Sequence, residues 1–437
     1  MEKVLFFTSY PISHIYPLAG LIGNLISNNY IVYVLSDIKN KDLIESYGAN
    51  FLQYPFDFTE SCYENDMNNY RMKCIEYAQQ GKHKEALEEY LKFDIASVMN
   101  VNSTRKKQIK KIVESINPNI IFRDAVDHFG KIIANEMNIN VIGYMTNNMY
   151  SINFLKTNPN YLCKIFMNGF EMEKYLGINY FENFIDIELN LYKKVEKELC
   201  AEHIQPLNQF NLDEEFNIIF SLDELQPKSS FFKNKEYLII KPSNKNFRVN
   251  NEVEKDIKTF LETDKKIIYI ATGSIVTRDI SYYETIIDEL SKIDVKLIIS
   301  AGDKTSYLRN YVKKKNIEKN IMIKEFLPQI YILSKANLFI TSGGFNSILE
   351  SIFHRCPMLI MPIASEQRLN GYIIAKRKLG ATIYGERNLK KYLLRTTKQV
   401  MNDGVIKENL KTISLNMQNE NINYDKLYTY LNKKKNV

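Results

Sequence analysis

Short apolar runs alternate along this chain with stretches in which apolar residues recur every three or four positions. Residues 4–8, 31–35, 120–122 and 141–144 read as buried strands by their length and their β-branched or aromatic content. Between the first two, Leu18, Leu21, Ile22 and Leu25 share one helical face behind Pro17, which suits a first turn. Asn28 and Asn29 end that helix. Ile109, Ile112, Val113 and Ile116 mark another helix, stopped by Asn117 and Pro118, and 129–137 a third. Leu87, Leu91, Ile95 and Val98 have the same spacing. Strands and helices in alternation predict a doubly wound parallel sheet. The aperiodic stretch 47–70 is expected to form surface loops. Residues 150–208 carry aromatic and apolar residues without long runs, with a charged helix expected near 188–198.

A second series follows. Residues 216–221 and 237–240 read as short strands, and the polar stretch 243–252 as a surface linker. Strands are expected at 266–271, 295–299 and 321–323, with a helix from about Tyr282 and a short one at 330–336. Then come an apolar run at 338–341, a break at Ser342-Gly343-Gly344, a helix at 346–353 and an apolar run at 357–361. Ile348, Ile352 and Phe353 form the apolar stripe of that helix, and the whole is a βαβ unit. Residues 389–401 and 424–431 read as amphipathic helices. The pattern predicts an α/β chain of two Rossmann-like doubly wound domains facing a central cleft. We place these at 1–230 and 256–415, with a linker at 231–255 and a C-terminal helix, 416–437, packing back on the first domain.

Composition narrows the classes. With 437 residues the chain can build two domains, and 45% hydrophobic against 25% charged residues suits a globular protein. The net charge of +7 sets 58 basic against 51 acidic residues, too mild a surplus to argue for nucleic acid. The five cysteines are scattered without CxxC spacing, which fits free thiols in a reducing compartment and offers no metal site. No stretch has the length of a membrane span, and residues 4–8 read as a strand, so a cytoplasmic protein without stable membrane insertion is expected.

Two places carry candidate chemistry. The turn at Ser342, Gly343 and Gly344 opens a helix, so backbone N–H groups and a helix N-terminus converge on one point, an anion site. Asn346 and Glu350 share a face of that helix. The two glycines alone favour an ordinary tight βα turn, since they do not form a GxGxxG. In the first domain, His14 follows the first strand and Asp124 a later one, and ligands of such sheets sit beyond the carboxyl ends of strands. A base and its orienting carboxylate have this arrangement. Spacing alone equally allows a His capping the next helix beside an unrelated buried Asp.

The whole string shifts that balance. Pro328–Gln329, the run from Ser342 through Asn346 and Ser347 to Glu350, Pro357, Pro362, Glu366–Gln367 and Asn370 together resemble the nucleotide-sugar signature of UDP-dependent glycosyltransferases of the GT-B fold. The stretch Ser221 to Pro227 makes the bacterial, macrolide-type branch the nearest likeness. Three positions depart from the family pattern: Ser342 stands where His is usual, Phe326 where Trp is frequent, and Glu366 where Asp is usual. The resemblance implies that Ser342, Gly343, Gly344, Asn346 and Ser347 surround a diphosphate, with Gly273 and Ser274 adding donors. It implies Glu350 on the ribose hydroxyls, Glu366 and Gln367 on the hexose, Phe326 near the uracil and Gln329 near the ribose or base. Ser13-His14 followed by Pro17 matches the family's base motif except for its Gly, which makes His14 the base and Asp124 its orienting partner, with Asp127 the second choice.

The implied reaction is an inverting transfer of a hexose, glucose first, from a UDP-sugar to a small-molecule hydroxyl. It would need no cofactor or metal, since no DxD motif occurs and helix and amide dipoles would meet the diphosphate charge. Two other functions remain open at this level. One is a catalytically weak, donor-binding or auxiliary protein of the same fold, and the other a lipid glycosyltransferase at a membrane surface.

Overall fold

In a computed structural model, the described residues are 1–9, 11–56, 103–127, 129–151, 214–227, 236–241, 253–273, 278–363, 365–384, 389–418 and 422–435, with isolated positions at 73–89, 154–158 and 212. They fall into two compact units. The first draws on Met1–Leu162, Met172–Ser243 and Asn421–Val437, and the second on Asn244–Glu420.

The first unit is built on a parallel sheet. Its strands are β1 (Glu2–Phe7), β2 (Tyr30–Ser36), β3 (Asn50–Gln53), β4 (Ile120–Asp124), β5 (Asn140–Met145), β6 (Phe216–Phe220) and β7 (Glu236–Ile240), and they lie in the order β3-β2-β1-β4-β5-β6-β7. Such a sheet is covered on both faces, which is why its central strands are continuous apolar runs. Val4 and Phe6 face one core with Leu21, Leu25, Val32 and Phe216, while Leu5 and Phe7 face another with Ile109, Val113 and Ile133. The helix Asp425–Lys435 closes the first of these cores. It inserts Leu427, Tyr430 and Leu431, stacks Tyr430 on Phe216 with centroids 4.9 Å apart, and donates from the Tyr428 hydroxyl to Asn24 Oδ1 at 2.6 Å.

The second unit repeats the plan. Strands β8 (Lys266–Ala271), β9 (Val295–Ser300), β10 (Ile321–Lys324), β11 (Leu338–Thr341), β12 (Met358–Ile360) and β13 (Gly380–Thr382) form a parallel sheet in the order β10-β9-β8-β11-β12-β13. Among the described residues no helix is long and apolar enough to cross a membrane.

Three elements depart from the sequence reading. Asn50–Gln53 is a strand, not part of a surface loop; it pairs on one side only and is exposed at both ends, so it lacks a buried strand's apolar run. Glu236–Ile240, expected as a strand at 237–240, departs only in its assignment to the linker: it pairs with β6 as an outer strand, so the first sheet extends to Ile240. The helix Lys255–Leu261 likewise starts at the end of that stretch and packs Ile257 and Leu261 into the second core. The helices expected around Leu91 and at 188–198, the polar stretch 243–252 and most of 150–208 lie outside the described residues.

Candidate active site

Each sheet has one place where neighbouring strands send their connections to opposite sides, and a crevice opens there at the carboxyl ends. In the first unit it lies between β1 and β4. His14 ends a short 3-10 turn, Ile12–His14, that follows β1, and Asp124 is the last residue of β4. They meet: His14 Nδ1 lies 2.7 Å from Asp124 Oδ2. The Asp124 side chain is 1% exposed and that of His14 24%. The other Asp124 oxygen accepts the Val126 N–H at 3.1 Å, which fixes the carboxylate plane. An ionised Asp124 selects the tautomer with its proton on Nδ1 and makes Nε2 the basic nitrogen.

Thr146, just past β5, places its hydroxyl 3.3 Å from the same Nδ1. Sequence reasoning missed it, because a lone Thr after a strand carries no signal. The stretch Ser221 to Pro227 now has a physical role. Gln226 accepts from the Met149 N–H at 2.9 Å and donates to the Met149 carbonyl at 2.5 Å, and Ser221 Oγ donates to Asn148 Oδ1 at 2.5 Å. It clips the segment after Thr146 in place. Asp127, the second choice for the orienting carboxylate, has its Oδ2 taken by the Gly130 N–H at 2.7 Å. Burial pushes its carboxyl up to about 7, against the pull of that N–H and of the Arg123 guanidinium.

In the second unit the switch lies between β8 and β11. Gly273 follows β8, exposed and at φ 95°, and Ser274 lies outside the described residues. Ser342, Gly343 and Gly344 follow β11, and Gly344 caps the helix Phe345–Phe353. Gly343 must be glycine: its φ is 89°, and a Cβ would sit 2.7 Å from Ile360 Cγ2. Ser342 is buried, and its hydroxyl has no hydrogen-bond partner among the described residues. Asn346 and Ser347 lie in the first turn of the helix, whose buried stripe is Phe345, Ile348, Leu349 and Ile352. Phe353 is only half-buried, so it does not complete the expected stripe.

Glu350 and Gln329 are joined. Gln329 Nε2 donates to Glu350 Oε2 and to Ser347 Oγ, the latter at 3.1 Å, and its Oε1 accepts from the Tyr269 hydroxyl at 3.2 Å. Burial pushes the Glu350 carboxyl up to about 7, opposed by the Gln329 amide. Glu366 and Gln367 open the helix Ser365–Lys376. Gln367 Oε1 accepts the Ile363 N–H at 2.9 Å, while Asn370 donates to Glu366 Oε1 at 3.3 Å and to the Gly343 carbonyl at 3.0 Å. Asn370 thereby ties Glu366 to the glycine turn. Phe326, in the loop after β10, is 76% exposed.

Residues 239–423 match the family described as UDP-glucoronosyl and UDP-glucosyl transferase. The chain is 31% identical over 179 residues to the uncharacterized UDP-glucosyltransferase YdhE of Bacillus subtilis, covering 39% of this chain and 43% of that protein. It is 25% identical to YojK of the same organism, an uncharacterized UDP-glucosyltransferase, covering 52% and 54%. The chain thus spans about half the length of these curated relatives. The crystal structure of the glycotransferase of kitacinnamycin superposes with a TM-score of 0.71 at 14% identity over 99% of both chains. The fold is therefore GT-B, and the family match falls in its second Rossmann-like half.

Proposed function

We propose that the protein is an inverting glycosyltransferase that moves a hexose, glucose first, from a UDP-sugar to a hydroxyl of a small-molecule natural product or xenobiotic. The observation that carries this reading is the 2.7 Å contact between His14 and Asp124 at the switch point of the first sheet. His14 Nε2 takes the acceptor proton as the oxygen attacks the anomeric carbon, and Asp124 stabilises the imidazolium. The bond from that carbon to the β-phosphate oxygen breaks, and UDP leaves with the electron pair. One displacement turns an α-linked donor into a β-glycoside.

The donor half fits the same chemistry. The N-terminus of the helix Phe345–Phe353 and the amides of the glycine turn favour a diphosphate without a metal. Gln329 uses one lone pair of Glu350, and a carboxylate has about four such sites, so two ribose hydroxyls can still donate to it. Exposed Phe326 offers a face to a flat base. Glucose is supported by the names of the Bacillus relatives.

The reading is tested by incubating the protein with UDP-glucose and a panel of hydroxylated acceptors, with and without EDTA. We expect UDP release, a hexosylated product by mass spectrometry, a β-anomeric proton by NMR and no effect of EDTA. Donor binding without turnover on any acceptor would point instead to an auxiliary sugar-nucleotide-binding protein.

A further inference from the structure

The carboxylate that holds His14 is carried on a turn wrapped around a buried arginine. Arg123 directly precedes Asp124 on β4 and is fully buried. Its Nη1 donates to three backbone carbonyls of the following turn: Asp124 at 3.0 Å, Ala125 at 3.4 Å and Asp127 at 2.8 Å. The Asp127 N–H closes the turn onto the Asp124 carbonyl at 3.0 Å. Glu214, buried just before β6, accepts from Arg123 Nε at 2.6 Å, with Lys131 at 3.8 Å from the same oxygen. Burial disfavours the Glu214 charge, but Arg123 and Lys131 overcome it and hold the carboxyl below its usual range. Gly143 on β5 leaves the space, because a Cβ there would collide with Glu214 Oε2.

A buried ion pair is a weak source of stability, since a well-packed apolar pair of the same volume often does as well or better. A purely structural role therefore explains the arrangement poorly. The planar fork of Arg, by contrast, suits several acceptors gathered at one point. We propose that Arg123 is a positioning residue for catalysis. By gathering the carbonyls of residues 124, 125 and 127 it fixes the turn that presents Asp124 to His14 Nδ1. Glu214 is the counter-ion that allows a cation to sit there. The inference rests on the reading of His14 as the base.

The experiment uses the full chain as wild type, R123K, R123M/E214L and H14A. Four quantities are read: kcat, the KM for UDP-glucose, UDP affinity by calorimetry, and the His14 imidazole titration by NMR, its signal assigned by loss in H14A. R123K keeps the charge and the Glu214 pair but lacks the fork. R123M/E214L removes both charges of the fully buried pair at once. In both we expect kcat to fall about tenfold or more with UDP affinity unchanged, because a small displacement of a catalytic group is costly. The His14 titration should move to lower pH, because a carboxylate held against an imidazole favours its charged form. Wild-type kcat and His14 titration in either folded variant overturns the proposal. So does failure of both variants to fold, which would make Arg123 a folding residue only. Wild-type turnover in H14A sinks the assignment of the base itself. Loss in H14A with none in the Arg123 variants sinks the positioning role alone.

Discussion

At the scale of single residues, Glu350 makes the donor half sensitive to pH. Its carboxyl titrates at about 7 because burial outweighs the Gln329 hydrogen bond. On the proposed role of Glu350, the acid below that value competes as a donor, and the carboxylate above it accepts from the ribose hydroxyls. UDP affinity should therefore rise as pH increases from 6 to 8. A charge-assisted hydrogen bond is worth about 1.5–3 kcal/mol, and the ionised fraction of Glu350 limits the gain over this window to about tenfold. Calorimetry on wild type and Glu350→Gln separates this from titration of UDP itself. The variant should lose the rise attributable to Glu350, and parallel profiles would contradict the assignment. What was legible at this scale was what the motifs carry: His14, Asp124, Gln329 and the run from Ser342 to Glu350. Thr146, Arg123 and Glu214 were not, because Arg123 and Glu214 meet across 91 positions of sequence and no local spacing marks either.

At the scale of elements, the glycine turn after β11 is a tightly constrained joint of the second unit. Gly343→Ala meets both a left-handed backbone and the Ile360 side chain. Strain of this kind costs of order 1–3 kcal/mol. The variant should lower the melting temperature of the second unit and weaken UDP binding, because Asn370 reads the position of the turn through the Gly343 carbonyl. Gly404→Ala is the control, since a Cβ there meets nothing within 4 Å. Equal melting curves for the two variants would refute this account. Central strands such as Leu338–Thr341 were legible because burial on both faces writes an unbroken apolar run. Asn50–Gln53 and Gly380–Thr382 were not, because both are short outer strands that pair on one side only. The helix Gly404–Gln418 carried a readable stripe, Ile406, Leu410, Ile413 and Met417, that went unassigned beside the more regular helices around it.

At the scale of the whole molecule, the chain forms two compact units, and the C-terminal helix belongs to the first. Leu427 is fully buried in the core beneath β1, β2 and β6. Leu427→Ala should cost about 2–5 kcal/mol by the cavity it leaves. Calorimetric scanning should show the first unit melting earlier, with UDP affinity at low temperature unchanged; loss of that affinity would contradict the division. On the proposed reading His14 and Asp124 act as one base on an acceptor hydroxyl, and a double-mutant cycle on turnover tests this pairing. General-base catalysis contributes about 10²–10⁴ in rate, so His14→Ala should lose turnover on that scale while still binding UDP. Asp124→Asn should also slow the reaction, and the double variant should be no worse than His14→Ala, because the two residues act as a unit. An aliphatic alcohol acceptor is required alongside a phenol, whose acidity would mask the loss. Near-wild-type turnover of His14→Ala on the aliphatic acceptor, or fully additive losses, would contradict the account.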